Sequence, residues 1–111
     1  MEQERKSIMV TWDFSPVSYY ALKHAIKLAS IVKYQIILFH IVKDQTEEEG
    51  GKKKLESEVV KIRKDLDVEV GYAVQHGNIF KQISEFASKD ENNVSFVVMG
   101  THGMKGSQTL F

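Results

Sequence analysis

Three glycines within seven positions form the part of this sequence that is best suited to hold an anion. The run Gly100-Thr101-His102-Gly103-Met104-Lys105-Gly106-Ser107 directly follows the apolar segment Val94–Met99. Glycine permits positive φ and lacks the Cβ that keeps a phosphate away, so backbone N–H groups can approach one, and Lys105 could neutralise its charge. The alternative is a tight turn that needs glycine for its conformation alone.

The spacing of these glycines excludes two well-known phosphate-binding motifs. Lys105 stands five residues after Gly100, and Gln108 stands five after Gly103, so the G-x-x-x-x-G-K-[ST] pattern of a P-loop fails in both registers. The G-x-G-x-x-G dinucleotide pattern fails as well, because position 102 is His102. The run therefore predicts a phosphate contact only if its place in the fold favours one.

Asp13 is the second residue that could take part in binding. It follows the apolar segment Ile8–Trp12, and Ser15 and Pro16 after it are typical of a helix start. Asp13 either favours that start through the helix dipole or contacts a ligand. A carboxylate repels phosphates unless a cation bridges them, so a triphosphate at Asp13 would involve Mg²⁺ unless the carboxylate faces a ribose or a base.

Other kinds of site chemistry are not indicated. The four histidines form no H-x-x-x-H pair, the chain has no Cys, and no Ser-His-Asp arrangement suggests an activated nucleophile. We therefore expect no metal site made by the protein alone and no efficient catalysis. Lys52–Lys54 directly follows acidic and glycine residues, which is typical of a solvated loop and not of a nucleic-acid surface.

Composition predicts one domain over residues 1–111. The 15 Lys and Arg balance the 15 Asp and Glu, so no overall field attracts nucleic acid or an anionic membrane. The longest apolar run, Ile36–Val42, is far below the roughly 20 residues of a membrane span, and the opening residues do not resemble a secretory signal. We expect a cytoplasmic protein.

Hydrophobic patterning alternates strands with amphipathic helices. Four apolar or alternating segments predict strands: Ile8–Trp12, Ile36–Val42, Val68–Val74 and Val94–Met99. Apolar residues at three- and four-residue steps predict three helices, which are Pro16 to about Val32, Leu55–Leu66 and Ile79–Ala87. The polar stretch Lys43–Lys54 is expected to be a solvated loop.

This order predicts an α/β fold, a Rossmann-like three-layer domain with a parallel sheet. Val68–Val74 alternates with period two, which suits an edge, and the simplest winding then has the strand order 3-2-1-4. The chain reverses direction between strands 1 and 4, and ligands of open α/β sheets bind at such a switch point. The loops Trp12–Ser15 and Gly100–Gly106 both lie there.

Three segments resemble universal stress protein domains. Ile8–Ser15 is similar to the family's first strand, which ends in Asp-x-Ser, and Leu38–Val42 is similar to its second strand. Val97-Val98-Met99-Gly100-Thr101-His102-Gly103 resembles the family's M-G-[ST]-H-G motif. The resemblance implies a domain that usually dimerises and that in one branch binds ATP or a related adenine nucleotide.

The resemblance also implies a set of site residues. Asp13 would lie beside the sugar, base or metal, the Ile41 backbone would face the adenine, and Gly100 and Gly103 would begin the phosphate motif G-x-x-G, nine residues, G-[ST]. The full nucleotide-binding prediction comprises nine residues: Thr11, Trp12, Asp13, Ile41, Gly100, His102, Gly103, Lys105 and Gly106.

The chain departs from the family pattern in two ways. Nine residues after Gly103 run past Phe111, so the closing G-[ST] is absent, as are the expected last helix and fifth strand. Trp12 stands where nucleotide-binding members carry a small residue, so the indole would either stack on a base or block the cleft. We expect Val94–Met99 to be an exposed edge that drives a homodimer. The alternative function is a dimeric interaction module that binds no nucleotide.

Overall fold

The computed structural model describes residues 6–100 and the backbone of residues 109–110. Two short 3₁₀ turns, Gln45–Glu47 and Asp90–Asn92, accompany the regular elements. In chain order these elements are β1 (Ser7–Thr11), α1 (Pro16–Val32), β2 (Gln35–Val42), α2 (Glu48–Leu66), β3 (Val70–His76), α3 (Ile79–Ser88), β4 (Val94–Gly100) and β5 (Thr109–Leu110).

The sheet has the strand order β3-β2-β1-β4-β5. Strands β1 to β4 pair in parallel, which confirms the predicted order 3-2-1-4 and the predicted edge position of the third strand. The expectation that no strand follows β4 is wrong, because β5 pairs antiparallel with its end, Met99 opposite Leu110 and Gly100 opposite Thr109. Two residues suffice for this pairing, and a strand so short has no periodicity for sequence patterning to detect.

The central strand β1 is buried along its whole length. On one face of the sheet, Ile8, Val10 and Trp12 belong to a core completed by α1 and α2, which contribute residues such as Leu22 and Leu55. On the other face Phe39 contacts Phe86 of α3, with ring centroids 4.8 Å apart. The three layers predicted from the sequence are therefore present.

Helix α1 begins as the sequence indicates. The Ser15 hydroxyl accepts a hydrogen bond from the backbone N–H of Ser18, and Pro16 occupies the first helical position, where its missing N–H costs nothing. The helix ends at Val32, and Lys33 then adopts a left-handed conformation with φ 65°. The N-terminus of α1 lies at the switch point between β1 and β4.

Helix α2 begins earlier than predicted, so the expectation of a solvated loop over 43–54 is wrong for most of that stretch. Acidic residues Glu48 and Glu49 occupy the first turn, where the helix dipole favours them. A Cβ on Gly51 would stand 2.9 Å from Val42 Cγ1, so glycine lets the helix pack closely on β2. This close contact offsets the poor helix propensity of glycine.

No helix in the described stretch 6–100 is long and apolar enough to cross a membrane.

Candidate functional site

A cleft of about 180 Å³ opens at the carboxyl ends of β1 and β4, between α1 and the start of α3. This is the predicted switch point. Its lining residues are Thr11, Trp12, Asp13, Ser18, Phe39, Ile41, Ile79, Met99 and Gly100.

Five of the nine predicted site residues lie together in this cleft. Thr11 ends β1 and is buried, Trp12 and Asp13 follow it, Ile41 lies near the end of β2, and Gly100 ends β4. The other four predicted residues lie outside the described part of the chain: His102, Gly103, Lys105 and Gly106. The structure thus brings the strand-end residues to one place.

Asp13 lies at the centre of a hydrogen-bond network at the N-terminus of α1. Its Oδ1 accepts hydrogen bonds from the Ser15 hydroxyl at 2.5 Å, the Ser18 hydroxyl at 2.6 Å and the Ser15 backbone N–H at 3.1 Å. The Asp13 backbone N–H in turn donates to Ser18 Oγ at 2.9 Å. The carboxylate also stands where the positive end of the helix dipole favours a negative charge.

Ser18 is the site residue that sequence reasoning missed. It is buried, and its hydroxyl both donates to Asp13 Oδ1 and accepts from the Asp13 N–H. The available signal was the spacing Asp13-x-Ser15-x-x-Ser18, which puts two hydroxyls within reach of one carboxylate at a helix start. Three other lining residues were not predicted because they are apolar: Phe39, Ile79 and Met99.

Trp12 is part of the core. Its side chain is 3% exposed and packs against Tyr19 and Phe14, with ring centroids 5.6 Å and 6.3 Å away. The indole Nε1 is buried and has no hydrogen-bond partner among the described residues. Because the indole ring packs against these aromatic neighbours, its face is not exposed in the cleft for stacking on a base.

Phe14 connects the Asp13 loop to α2 and β2. It adopts a left-handed backbone conformation with φ 66°, which is costly for a residue other than glycine. The Phe14 ring contacts His40 in a T-shaped arrangement with ring centroids 4.9 Å apart, and Lys54 Nζ lies 4.3 Å from the centre of the Phe14 ring. His40 Nδ1 is 2.7 Å from the Trp12 carbonyl oxygen, so that nitrogen carries a proton and donates it. The loop is therefore fixed by its surroundings.

Gly100 is required by packing. A Cβ at this position would stand 2.2 Å from Val17 Cγ1 and 2.9 Å from the Val17 carbonyl oxygen. The end of β4 thus passes directly against the first turn of α1. This contact gives Gly100 a structural role that does not depend on a ligand or on a special φ value.

Among the residues that the structure describes, the other titratable groups do not form a metal site. Within the described ranges no three His, Cys, Asp or Glu residues come together in a way that could hold an ion. His76 Nδ1 contacts the Glu48 carboxylate, and His24 is an exposed residue of α1. Burial, together with the charges of Asp65 and Glu58, raises the pKa of Tyr19 above its ordinary value of 10.0.

The fold and the cleft define a class of protein: a three-layer α/β domain whose strand order reverses next to a cleft at the carboxyl ends of its strands. The universal stress protein family model matches residues 4–111. The chain therefore belongs to the universal stress protein family, as the strand-end motifs indicated. Among curated proteins no match is found.

Solved structures of this family share the fold. A universal stress protein family member from Burkholderia pseudomallei is 20% identical, with a TM-score of 0.68, and the match covers 88% of this chain and 83% of that one. For UspA from Lactobacillus plantarum the identity is 15%, the TM-score 0.69 and the coverage 95% and 83%. A universal stress protein from Archaeoglobus fulgidus is 21% identical, with a TM-score of 0.64, covering 92% of this chain and 36% of that longer chain.

Proposed function

We propose that this universal stress protein is a stress-response module that binds an adenine nucleotide, ATP or AMP, at the switch-point cleft and acts through altered self-association. One observation carries the proposal: the strand-end residues predicted to bind a nucleotide line a single cleft in the structure. Position supports it as well, since α/β sheets bind ligands where the strand order reverses.

The residues of the cleft suit different parts of a nucleotide. Phe39 and Ile41 offer apolar surface to a base, the Thr11 hydroxyl offers one donor and acceptor, and Asp13 can accept hydrogen bonds from ribose hydroxyls. Backbone N–H groups near Gly103 and Gly106, with the Lys105 ammonium, are proposed to hold the phosphates. Gly103, Lys105 and Gly106 all lie shortly after Gly100 in the sequence.

The described cleft is too small for its lining residues to hold a whole nucleotide. About 180 Å³ is less than the roughly 300–1,000 Å³ of complete small-molecule sites, so the described walls would take one part of the nucleotide. The Asp13 carboxylate lies at the helix N-terminus that phosphates would otherwise occupy. Phosphates close to Asp13 would therefore need Mg²⁺ between them.

A thermal-shift experiment tests the proposal. ATP at ten times its Kd adds about 1.4 kcal/mol to the free energy of unfolding, which raises Tm by about 5 °C in a domain of this size. Lys105→Ala should reduce this shift, whereas Lys27→Ala on the exposed side of α1 should not. Absence of any shift with ATP or AMP up to millimolar concentration would contradict the proposal.

Titration calorimetry with and without Mg²⁺ tests the part assigned to the metal. Tighter ATP binding with Mg²⁺ supports a cation between Asp13 and the phosphates. Equal affinity removes the metal from the site and leaves Asp13 facing the ribose or base.

A second candidate function is a dimeric interaction module that binds no nucleotide. Two observations favour this second function. Asp13 already forms hydrogen bonds at the N-terminus of α1, and glycine is already required at position 100 by the contact with Val17. Both residues thus have roles without a ligand. We expect no catalysis from either module; at most, the nucleotide-binding module would hydrolyse ATP slowly, and ATP turnover above that of a Lys105→Ala control would show such hydrolysis.

A further inference from the structure

We propose that the free edge of β3, together with the adjoining outer side of α2, binds a second copy of this chain with the two β3 strands antiparallel. We call this the β3 surface. β3 ends the sheet, and in the part of the chain that the structure describes it pairs with β2 alone. The surface is separate from the nucleotide cleft, so the proposal does not depend on the proposed function.

The sequence of β3 itself lacks the residues that normally prevent strands from pairing between molecules. Exposed edge strands usually carry lysines, other charges or proline. The sequence of β3, Val-Gly-Tyr-Ala-Val-Gln-His, contains no Lys, Arg, Asp, Glu or Pro over seven residues. This composition leaves the edge open to a further strand.

The backbone directions along β3 define which groups a second strand would meet. The Gly77 N–H donates to the Val42 carbonyl at 3.1 Å, so the odd-numbered positions direct their backbone groups toward β2. The even-numbered positions then direct theirs outward. Arg63 confirms this direction at one end, because its Nη2 donates to the Val70 carbonyl oxygen at 2.9 Å.

A two-fold axis at Ala73 matches these outward groups. An antiparallel pair centred there places Tyr72 opposite Val74 of the second copy in hydrogen-bonded positions on both sides of the axis. Val70 lies opposite His76 of the second copy, at the end where the Val70 carbonyl already accepts a bond from Arg63. Tyr72 and Val74 both pack against the core on the α2 face. The pairing therefore also puts an aromatic ring beside a β-branched side chain across the strands, a favourable combination.

Under the same axis the outer side of α2 brings opposite charges together at both ends and like charges at the centre. Glu49 and Lys52 border the hollow next to Tyr72, Glu56 accepts a 2.6 Å hydrogen bond from the Tyr72 hydroxyl, and Arg63 reaches Val70. Because Glu56 lies beside the axis, it faces Glu56 of the second copy, where each carboxylate accepts the Tyr72 hydrogen bond of its own chain. Reversal of the helix places Glu49 opposite Arg63 of the second copy at both ends, so two attractive pairs stand against one repulsive pair. Val60, which is 63% exposed, lies on the same stripe and would be covered.

The two helices fit side by side. Gly51 lies close to both Val42 of β2 and Val74 of β3, so α2 lies over this pair of strands. Its copy would then stand about two strand spacings away, about 10 Å, which is the distance at which helices pack. The self-complementary strand, the charge pattern and the helix spacing together favour a second copy over any other occupant.

Disulfide trapping tests the pairing, because the chain contains no Cys. At the axis Ala73 would face its own copy in a non-hydrogen-bonded position with Cα atoms about 4.5 Å apart, within the range of a disulfide. Under mild oxidation, Ala73→Cys should form a covalent dimer at least tenfold faster than Ser88→Cys on the exposed end of α3. Equal rates for the two variants would overturn the proposal.

Charge reversal on the Ala73→Cys background tests the predicted partner residues. Arg63→Glu or Glu49→Arg alone should slow dimer trapping about 5- to 10-fold, since each change turns two attractions into repulsions. The double variant Glu49→Arg/Arg63→Glu should return to within about twofold of the parent. The double variant still lacks the hydrogen bond from Arg63 to the Val70 carbonyl. Recovery would therefore come from the restored charge pairing and not from that bond. Lys27→Glu on α1 is the matched control, and failure of the double variant to recover would contradict the pairing.

Discussion

The hydroxyl of Ser18 donates a 2.6 Å hydrogen bond to Oδ1 of Asp13, five residues earlier in the chain, and accepts a 2.9 Å bond from the Asp13 backbone N–H. This reciprocal pair ties the end of β1 to the first turn of α1. It therefore fixes the position of the Asp13 carboxylate in the cleft. The pair also shows that a residue suited to ligand binding can at the same time serve the fold.

Ser18→Ala should destabilise the domain by about 1–2 kcal/mol, because it leaves the Asp13 N–H without its acceptor and removes one donor from a carboxylate. Chemical denaturation measures the change. The control is Ser30→Ala: this exposed serine of α1 donates to the Lys27 carbonyl of the same helix, and its loss should change stability by less than about 0.5 kcal/mol. Equal effects of the two variants would show that the Asp13–Ser18 pair contributes nothing specific.

Gly100→Ala should destabilise the domain by about 1–3 kcal/mol, since the added Cβ would overlap Val17 Cγ1 and approach the Val17 carbonyl. Val17→Ala in the same chain should recover only part of the loss, because the carbonyl oxygen remains. Gly50→Ala on α2 is the control: a Cβ there meets nothing, so the variant should be neutral or stabilised by up to about 1 kcal/mol. Unchanged stability of Gly100→Ala would contradict the close contact.

Lys54→Gln should destabilise the domain by about 0.5–1 kcal/mol, because it removes the cation 4.3 Å from the centre of the Phe14 ring. Lys53→Gln removes a neighbouring exposed charge from the same helix and is the matched control. Urea denaturation of both variants gives the difference. A similar loss for both would mean that net charge, and not the Phe14 contact, is responsible.

Tyr72 should make stability depend on alkaline pH. Its hydrogen bond to Glu56, followed by loss of water contact, raises the pKa of the phenol above its ordinary value of 10.0. The folded protein therefore holds this proton more tightly than the unfolded chain does. The stabilisation is complete below pH 10 and is lost as the pH rises through the higher folded-state pKa.

Tyr72→Phe should flatten this part of the stability curve. The check is the urea midpoint at several pH values between 8 and 11.5, with Tyr20→Phe, an exposed tyrosine of α1, as the control. If the slope above pH 10 is the same in all three proteins, the Tyr72–Glu56 bond does not set it.

Local signals in the sequence predicted the elements near the cleft well. Ser15 and Pro16 correctly predicted the first residue of α1. The alternating pattern correctly placed the third strand at an edge of the sheet. The bounds of that strand were less accurate, because β3 spans Val70–His76 and not Val68–Val74. These features depend on neighbours in the chain. The strand order followed from the edge position of the third strand and the simplest winding of the sheet.

Features that depend on distant contacts could not be predicted in the same way. The start of α2 was missed because Gly51 is a poor helix residue by itself and becomes suitable only against Val42. The need for glycine at position 100 is likewise visible only once Val17 is beside it. In both cases a contact with another element of the fold decides the residue type.

Trp12 gives the protein a built-in optical reporter. It is the single tryptophan of the chain, its ring is enclosed by aromatic neighbours, and its indole N–H has no acceptor among the described residues. An indole shielded from water in this way emits at shorter wavelength than one in solvent. Intrinsic fluorescence should therefore follow unfolding, and a ligand entering beside Asp13 should change the emission without any added label.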